Sequence, residues 1–170
     1  INGTTLPLTG TGTAAVQLLK SAGFDTIVIP LPWRVFWPTR SLNSVLDCKV
    51  SHSPPCSIKF TGASWNYTRI IQQIVAKSGV AGDKYYFGMS SRADNIPAGG
   101  QYKAEILFYN LYNQVIGSQT LTFTDGTHGF ESLTAYYTVP NTYYRILFRF
   151  TFQKTMGTAW FDSAILMRAP

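Results

Sequence analysis

Of the carboxylates, imidazoles and thiols that most often do acid–base or metal chemistry, this 170-residue sequence carries eight acids, two histidines and two cysteines. The acids are Asp25, Asp47, Asp83, Asp94, Asp125, Asp162, Glu105 and Glu131. Glycoside hydrolysis needs two carboxylates facing one cleft at about 5–10 Å. Most of these acids instead fall in turn-like stretches or on solvent-facing strand phases, the ordinary place for an acid. His128 nominally completes a Ser-His-Asp set, but no Gly-x-Ser-x-Gly elbow accompanies it. With no catalytic signature, the chain reads as a binding or structural protein rather than an enzyme.

Cys48 and Cys56 bracket Lys-Val-Ser-His-Ser-Pro-Pro. In an exported chain such a pair closes a small disulfide loop, stabilising by about 2–3 kcal/mol on the loop-entropy account. The alternative is a metal held by Cys48, His52 and Cys56, but a closed zinc site takes four ligands and His128 is far off in sequence. Binding without catalysis has better candidates. Sugars are held by aromatic faces against the apolar side of the pyranose ring, with polar side chains on the hydroxyls. Trp65, Tyr86, Tyr109, Tyr112, Tyr136 and Tyr143 lie in loops or outside the predicted core phase, and Arg92, Arg145, Arg149 and Gln153 are the polar partners. For each aromatic the competing reading is an ordinary place in the core or on the surface. Trp33, Trp37 and Trp160 read as packed.

These residues must be carried by strands. Aromatics make up 15% and charged residues 13% of the chain, with Tyr, Thr and Phe prominent, which favours sheet over helix. From Tyr144 the residues Ile146, Phe148, Phe150 and Phe152 alternate with Arg145, Arg149, Thr151 and Gln153, a period of two with one buried face. After a turn at 154–157, Ala159, Phe161, Ile165 and Met167 share one phase and Trp160, Asp162 and Leu166 the other. The spacing predicts a closing β-hairpin of 143–152 with 157–166. Further alternation predicts strands at 84–90, 102–109, 114–116 with 119–123, and 133–139, divided by Gly/Asn/Asp/Pro turns. Residues 57–60 read as a short strand, 65–76 as a strand in preference to a helix, and 24–31 as an apolar strand; 14–20 fits either a helix or a strand. Short strands at such spacing indicate a β-sandwich or barrel.

The net charge of +6 comes from seven Lys and seven Arg scattered along the chain. No linear patch indicates nucleic acid, and nucleic acid is not an expected partner. A mildly basic surface still favours anionic glycans or cell-surface polymers. Nothing approaches the apolar run of about 20 residues that spans a bilayer as a helix. The sequence begins at Ile1, which is expected of a processed product or an excised domain. Asn2-Gly-Thr4 and Asn66-Tyr-Thr68 fit the glycosylation acceptor pattern.

Residues 57–167 resemble the jelly-roll, galactose-binding-like carbohydrate-binding modules appended to extracellular polysaccharide-degrading enzymes. The matching pieces are Ile71-Gln-Gln-Ile74 leading through Gly79 to Lys84–Ser91, then Tyr102–Tyr109, Phe130–Pro140 and Gly157–Leu166. The resemblance implies an all-β fold, an antiparallel two-sheet jelly-roll β-sandwich, to which the Gly/Thr-rich, aperiodic start at residues 1–13 adds an extended N-terminal arm. It also implies an aspartate in the last strand, matched by Asp162, with a structural calcium often nearby; no other cofactor is expected. The Asn-x-x-Phe-Glu type motif that helps to hold that calcium is not found in residues 1–37. Asp162 is therefore read either as a calcium or ligand contact, or as a carboxylate capped by backbone N–H groups or an Arg.

The expected organisation is an arm or strand segment over 1–32 and a sandwich domain over 33–170. Two functions follow. The first is a non-catalytic, extracellular or cell-surface module that binds glycan or a cell-surface polymer. The second is a structural subunit of an extracellular filament or lattice, self-associating through residues 1–32, which add a strand to a neighbour's sheet.

Overall fold

The computed structural model describes residues 16–21, 23–24, 33–35, 45–63 and 68–170. Eleven strands are present among them: β1 (Val16–Ser21), β2 (Arg34–Val35), β3 (Leu46–Asp47), β4 (Ser57–Thr61), β5 (Arg69–Val75), β6 (Lys84–Ile96), β7 (Gln101–Tyr109), β8 (Val115–Thr122), β9 (Gly126–Thr138), β10 (Arg145–Gln153) and β11 (Thr158–Arg168). One sheet runs β3-β4-β11-β6-β9, with β1 also paired to β11, and the other runs β2-β5-β10-β7-β8. Every pairing is antiparallel. From β4 onward the chain changes sheet at each connection except β7–β8, which is a hairpin. The result is a two-sheet jelly-roll sandwich.

Inward-facing alternate residues of both sheets build the core expected from the sequence. Tyr102, Ala104, Ile106 and Phe108 of β7 and Ile146, Phe148, Phe150 and Phe152 of β10 are all buried. They meet Tyr85, Phe87 and Met89 of β6 and Phe161 of β11 across the interior. Rings pack edge-to-face or tilted, as between Phe87 and Phe148 at 6.0 Å and between Phe150 and Phe161 at 4.8 Å. Each such phenylalanine contributes about 1.5–3 kcal/mol through burial alone.

The predicted closing hairpin is not formed. β10 lies between β5 and β7, whereas β11 lies between β4 and β6 in the other sheet. The connecting residues cross the end of the sandwich, and Lys154 anchors the crossing. Its buried ammonium donates to the carbonyls of Pro97 (2.9 Å) and Gly99 and to the Asp125 carboxylate (2.6 Å). A second departure lies within β11. A bulge between Asp162 and Ile165, with Ser163 at φ +53°, shifts the phase, so that Ala159 and Phe161 are followed in the core by Ala164 and Leu166 rather than by Ile165 and Met167.

Residues 16–21 form a strand, paired along β11 of the same chain from Val16↔Arg168 to Ser21↔Ala164. Phe24 is fully buried against Trp33 and Phe150. The described part of the 1–32 segment therefore belongs to the sandwich. The expected strand at 24–31 lies, apart from Phe24, outside the described residues. Residues 69–75 are strand, as the sequence favours, while β8 is one continuous strand where two short ones are expected.

Candidate functional site

The outward phase of the five-stranded sheet collects the polar side chains. The register sets Arg145 opposite Tyr109, Leu147 opposite Leu107, Arg149 opposite Glu105, Thr151 opposite Lys103 and Gln153 opposite Gln101. Directly opposed residues hold their Cβ atoms about 5 Å apart, so each pair acts as one unit. β5 adds Ile70, Gln72 and Ile74 on one side, and β8 adds Ser118, Thr120 and Thr122 on the other. Arg34 of β2 pairs with Gln72 and extends the Arg149 row. Four sequence candidates thus share this face: Tyr109, Arg145, Arg149 and Gln153.

At its centre Glu105 is the floor and cations stand above it. The Glu105 side chain is 5% exposed, against 29% for Arg149 and 24% for Lys103. Arg149 Nε donates to Glu105 Oε1, and Lys103 Nζ lies 2.7 Å from Oε2, so both carboxylate oxygens are taken. This leaves the Nη groups of Arg149 with no acceptor among the described residues. The Arg145 guanidinium lies 4.6 Å from the Tyr109 ring centroid, and its Nε is buried without an acceptor. Gln101 Nε2 donates to Gln153 Oε1 at 2.8 Å, which leaves the Gln153 amide N–H groups and the Gln101 oxygen open. Thr151 is buried, and its Oγ1 has no partner. Thr151 Oγ1 and Arg145 Nε are too buried to reach a ligand, but the Arg149 Nη groups and the open Gln101 and Gln153 amide atoms, on rigid central strands, can hold hydroxyl or anionic groups in a fixed frame.

Glu105, Lys103, Gln101 and Thr151 are the members of this group not singled out from the sequence. The phase of β7 and β10 hints at them. Their convergence depends on the register between strands distant in sequence.

Three other candidates lie on the opposite sheet. Tyr86 and Tyr136 are direct cross-strand partners with ring centroids 5.1 Å apart, and Tyr136 is 57% exposed. Arg92 stands 5.4 Å and Lys59 5.5 Å from the Trp160 ring, whose Nε1 donates to Asp47 at 2.9 Å. Trp160 is packed, as expected. Tyr112 is exposed in the β7–β8 turn.

Tyr143 is not a surface residue. It precedes β10, bridges to Gly79 and turns inward, so its hydroxyl bonds Tyr85 and donates to Asp83 Oδ2 at 2.7 Å. Burial, with the acidic and phenolic neighbours, pushes its own ionisation well above the ordinary range. Trp65, Asn2 and Asn66 lie outside the described residues.

Asp162 is fully buried under the disulfide loop. Oδ2 accepts from the backbone N–H of His52 (2.7 Å) and Ser53 (2.9 Å), and Oδ1 accepts from that of Ser163 (2.7 Å). Burial pushes its carboxyl up, partly offset by these donors. Calcium takes 6–8 oxygen ligands. Here N–H groups occupy the carboxylate, and no cluster of three acidic, histidine or cysteine side chains exists among the described residues, so the site does not fit that ion. Cys48 and Cys56 are joined in a disulfide, which removes the alternative of a metal held by them with His52. The His52 ring instead contacts Ser163 Oγ (2.9 Å) and packs on Phe130.

Most of the remaining acids are also committed to structural partners. Asp83 meets Arg168 at 2.5 Å, Asp125 meets Lys154, and Glu131 accepts from Thr124. His128 bonds the carbonyls of Gly129 and Thr124.

No protein-family profile matches the sequence, and no curated protein matches it. Solved structures do resemble the fold. Tailspike protein 4 of bacteriophage CBA120, as its enzymatically active domain, superposes with a TM-score of 0.61 at 14% identity over 92% of this chain, and the chain spans 19% of that protein. TmCBM61, solved with β-1,4-galactotriose, gives 0.57 at 16% identity over 90% of this chain and 99% of its own. The CBM22-1 xylan-binding domain of Paenibacillus barcinonensis Xyn10C gives 0.56 at 11% identity, over 93% and 97%. At such identities the likeness is one of fold: the jelly-roll sandwich of carbohydrate-binding modules.

Proposed function

We propose that this chain is a non-catalytic glycan-binding module whose ligand lies along the outer face of the five-stranded sheet. The observation that carries this reading is the row of paired, partly unspent side chains running from Arg145–Tyr109 through Arg149–Glu105 to Gln153–Gln101. Eight strand steps separate Arg145 from Gln153, about 27 Å at the rise of an antiparallel strand, which accommodates several sugar units. The Tyr109 ring and the exposed Ile74 offer apolar contact, and the amides and guanidinium groups offer hydroxyl partners. Neighbours in fold that span nearly their own full length on this chain include a module solved with β-1,4-galactotriose and a xylan-binding domain, which supports the same reading.

An extracellular or cell-surface setting accords with the Cys48–Cys56 disulfide. Among the described residues no helix is long and apolar enough to cross a membrane. Of the 1–32 segment on which the filament alternative rests, Val16–Ser21 pairs within the chain, and the expected strand at 24–31 lies, apart from Phe24, outside the described residues. The test is calorimetric titration with a panel of soluble polysaccharides, repeated with Arg149→Ala and Gln153→Ala. Binding that is weakened about tenfold or more by either variant supports the site. Binding untouched by both, or no binding to any polysaccharide, rejects it.

A further inference from the structure

The charge on the binding face is unbalanced, and this narrows the ligand. Lys59 lies beside Asp47, Arg168 beside Asp83 and Lys154 beside Asp125, whereas Arg92 stands over the Trp160 ring. The outer face of the five-stranded sheet gathers four cations around one acid. Arg34, Lys103, Arg145 and Arg149 project from it, and Glu105 is the single acid in its rows among the described residues. That acid is sealed at the floor with both oxygens spent, so an incoming ligand meets cations and not the carboxylate. Among the described residues Arg34 and Arg145 meet no carboxylate at all.

We infer that the module is selective for acidic polysaccharides, with Arg149 and Arg145 taking the carboxylate groups of uronic acid units. The inference rests on the glycan reading above and adds the class of sugar to it. A guanidinium presents a planar fork of N–H donors that matches a carboxylate in two parallel hydrogen bonds. Glu105 takes the Arg149 Nε–H, and the Nη groups are left without an acceptor among the described residues. The Arg145 guanidinium is braced on the Tyr109 ring; its Nε is buried, and its Nη groups meet no acceptor among the described residues. Four residues along β10 separate the two, about 14 Å at strand rise. They can therefore meet charges on different units of one chain. A neutral polymer would leave these donors without their strongest partners, and desolvating guanidinium groups uncompensated is unfavourable.

The test pairs each acidic polymer with a neutral twin: polygalacturonate with its methyl ester, and glucuronoxylan, alginate and hyaluronate each with its carboxyl-reduced form. Neutral β-1,4-galactan, a sulfated galactan and a DNA duplex complete the set. The expected result is that at least one uronate polymer binds about tenfold or more tightly than its twin, as charge-assisted hydrogen bonds predict. Arg149→Gln should erase that ratio, and Arg149→Lys should restore part of it. Arg145→Gln should lower it independently, since that side chain lies on the Tyr109 ring and not on Glu105. Equal binding to acidic and neutral twins, or to β-1,4-galactan alone, overturns the acidic selectivity and leaves the glycan site standing. Preference for the sulfated polymer overturns the carboxylate assignment. DNA bound as tightly as the best uronate reduces the effect to generic charge and overturns the inference. No binding to any sugar sinks both readings.

Discussion

Removing the Arg149 side chain tests whether Glu105 is the buried anchor of the candidate site. In Arg149→Met the aliphatic stem is kept and the charge is lost, so the carboxylate at 5% exposure retains Lys103 as its sole described counter-ion. Breaking a buried ion pair typically costs about 3–5 kcal/mol. Arg149 is itself 29% exposed and Lys103 remains 2.7 Å away, so solvent and the second cation reduce the expected cost to about 2 kcal/mol. Glu105→Gln keeps an acceptor for Arg149 and removes the buried charge, at about 1 kcal/mol. Once the charge is gone the arginine is no longer required, so the double variant should cost about 1–2 kcal/mol rather than the sum. Urea denaturation of the four proteins reads this directly, and at this chain length about 2 kcal/mol is about 4–8 °C in Tm. Additivity within about 0.5 kcal/mol, or Glu105→Gln proving the more harmful change, would refute the placement of a buried carboxylate held by Arg149.

Two further outcomes follow from the buried acids. Burial pushes the Asp83 carboxyl up, but hydrogen bonds from Tyr143, Arg168 and the Val80 N–H outweigh it and hold the group below its usual value; the Trp160 hydrogen bond does the same for Asp47. A carboxyl lowered on folding contributes stability above its unfolded value, and that contribution is lost as pH falls through the folded value. The urea midpoint should therefore drop below about pH 4, and Asp83→Asn should flatten the decline; an unchanged slope argues against the Asp83 network. Asp162 acts in the opposite sense, its raised carboxyl costing stability as pH rises from the unfolded to the folded value. Asp162→Ala strands three backbone N–H groups at about 1–3 kcal/mol for each that stays buried. It should also raise the hydrogen exchange of the His52 and Ser53 amides, and unchanged protection there would show that the loop is fastened by something else.

The strands of the core were legible because one buried face imposes a period of two, as in Tyr102–Phe108 and Ile146–Phe152. Pairing was not. Residues 143–152 and 157–166 are neighbours in sequence and look like a hairpin, yet Lys154 carries the chain across to the other sheet. Local turn chemistry says nothing about a cation whose acceptors, Pro97, Gly99 and Asp125, come from other loops. The Asp162 bulge hid in the same way, since a non-glycine positive φ at Ser163 leaves no compositional mark. The inward turn of Tyr143 leaves no mark in the alternation, because the residue falls outside the β10 ladder, where the strand period no longer applies. Of the site, the outward phase of Arg145, Arg149 and Gln153 was readable. The pairing of Arg149 with Glu105 was not, because the two are 44 residues apart and only the register between β7 and β10 joins them.

The most direct measurement is an amide and arginine side-chain NMR titration of the labelled chain with a soluble uronate oligosaccharide. Shifts should concentrate on β7 and β10, with the Nε–H signals of Arg145 and Arg149 among the largest, while Tyr86 and Tyr136 on the opposite sheet stay unmoved. Shifts centred on Tyr86 and Tyr136 would place the ligand on the wrong face for this account, and a spectrum unchanged at saturating sugar would contradict it altogether.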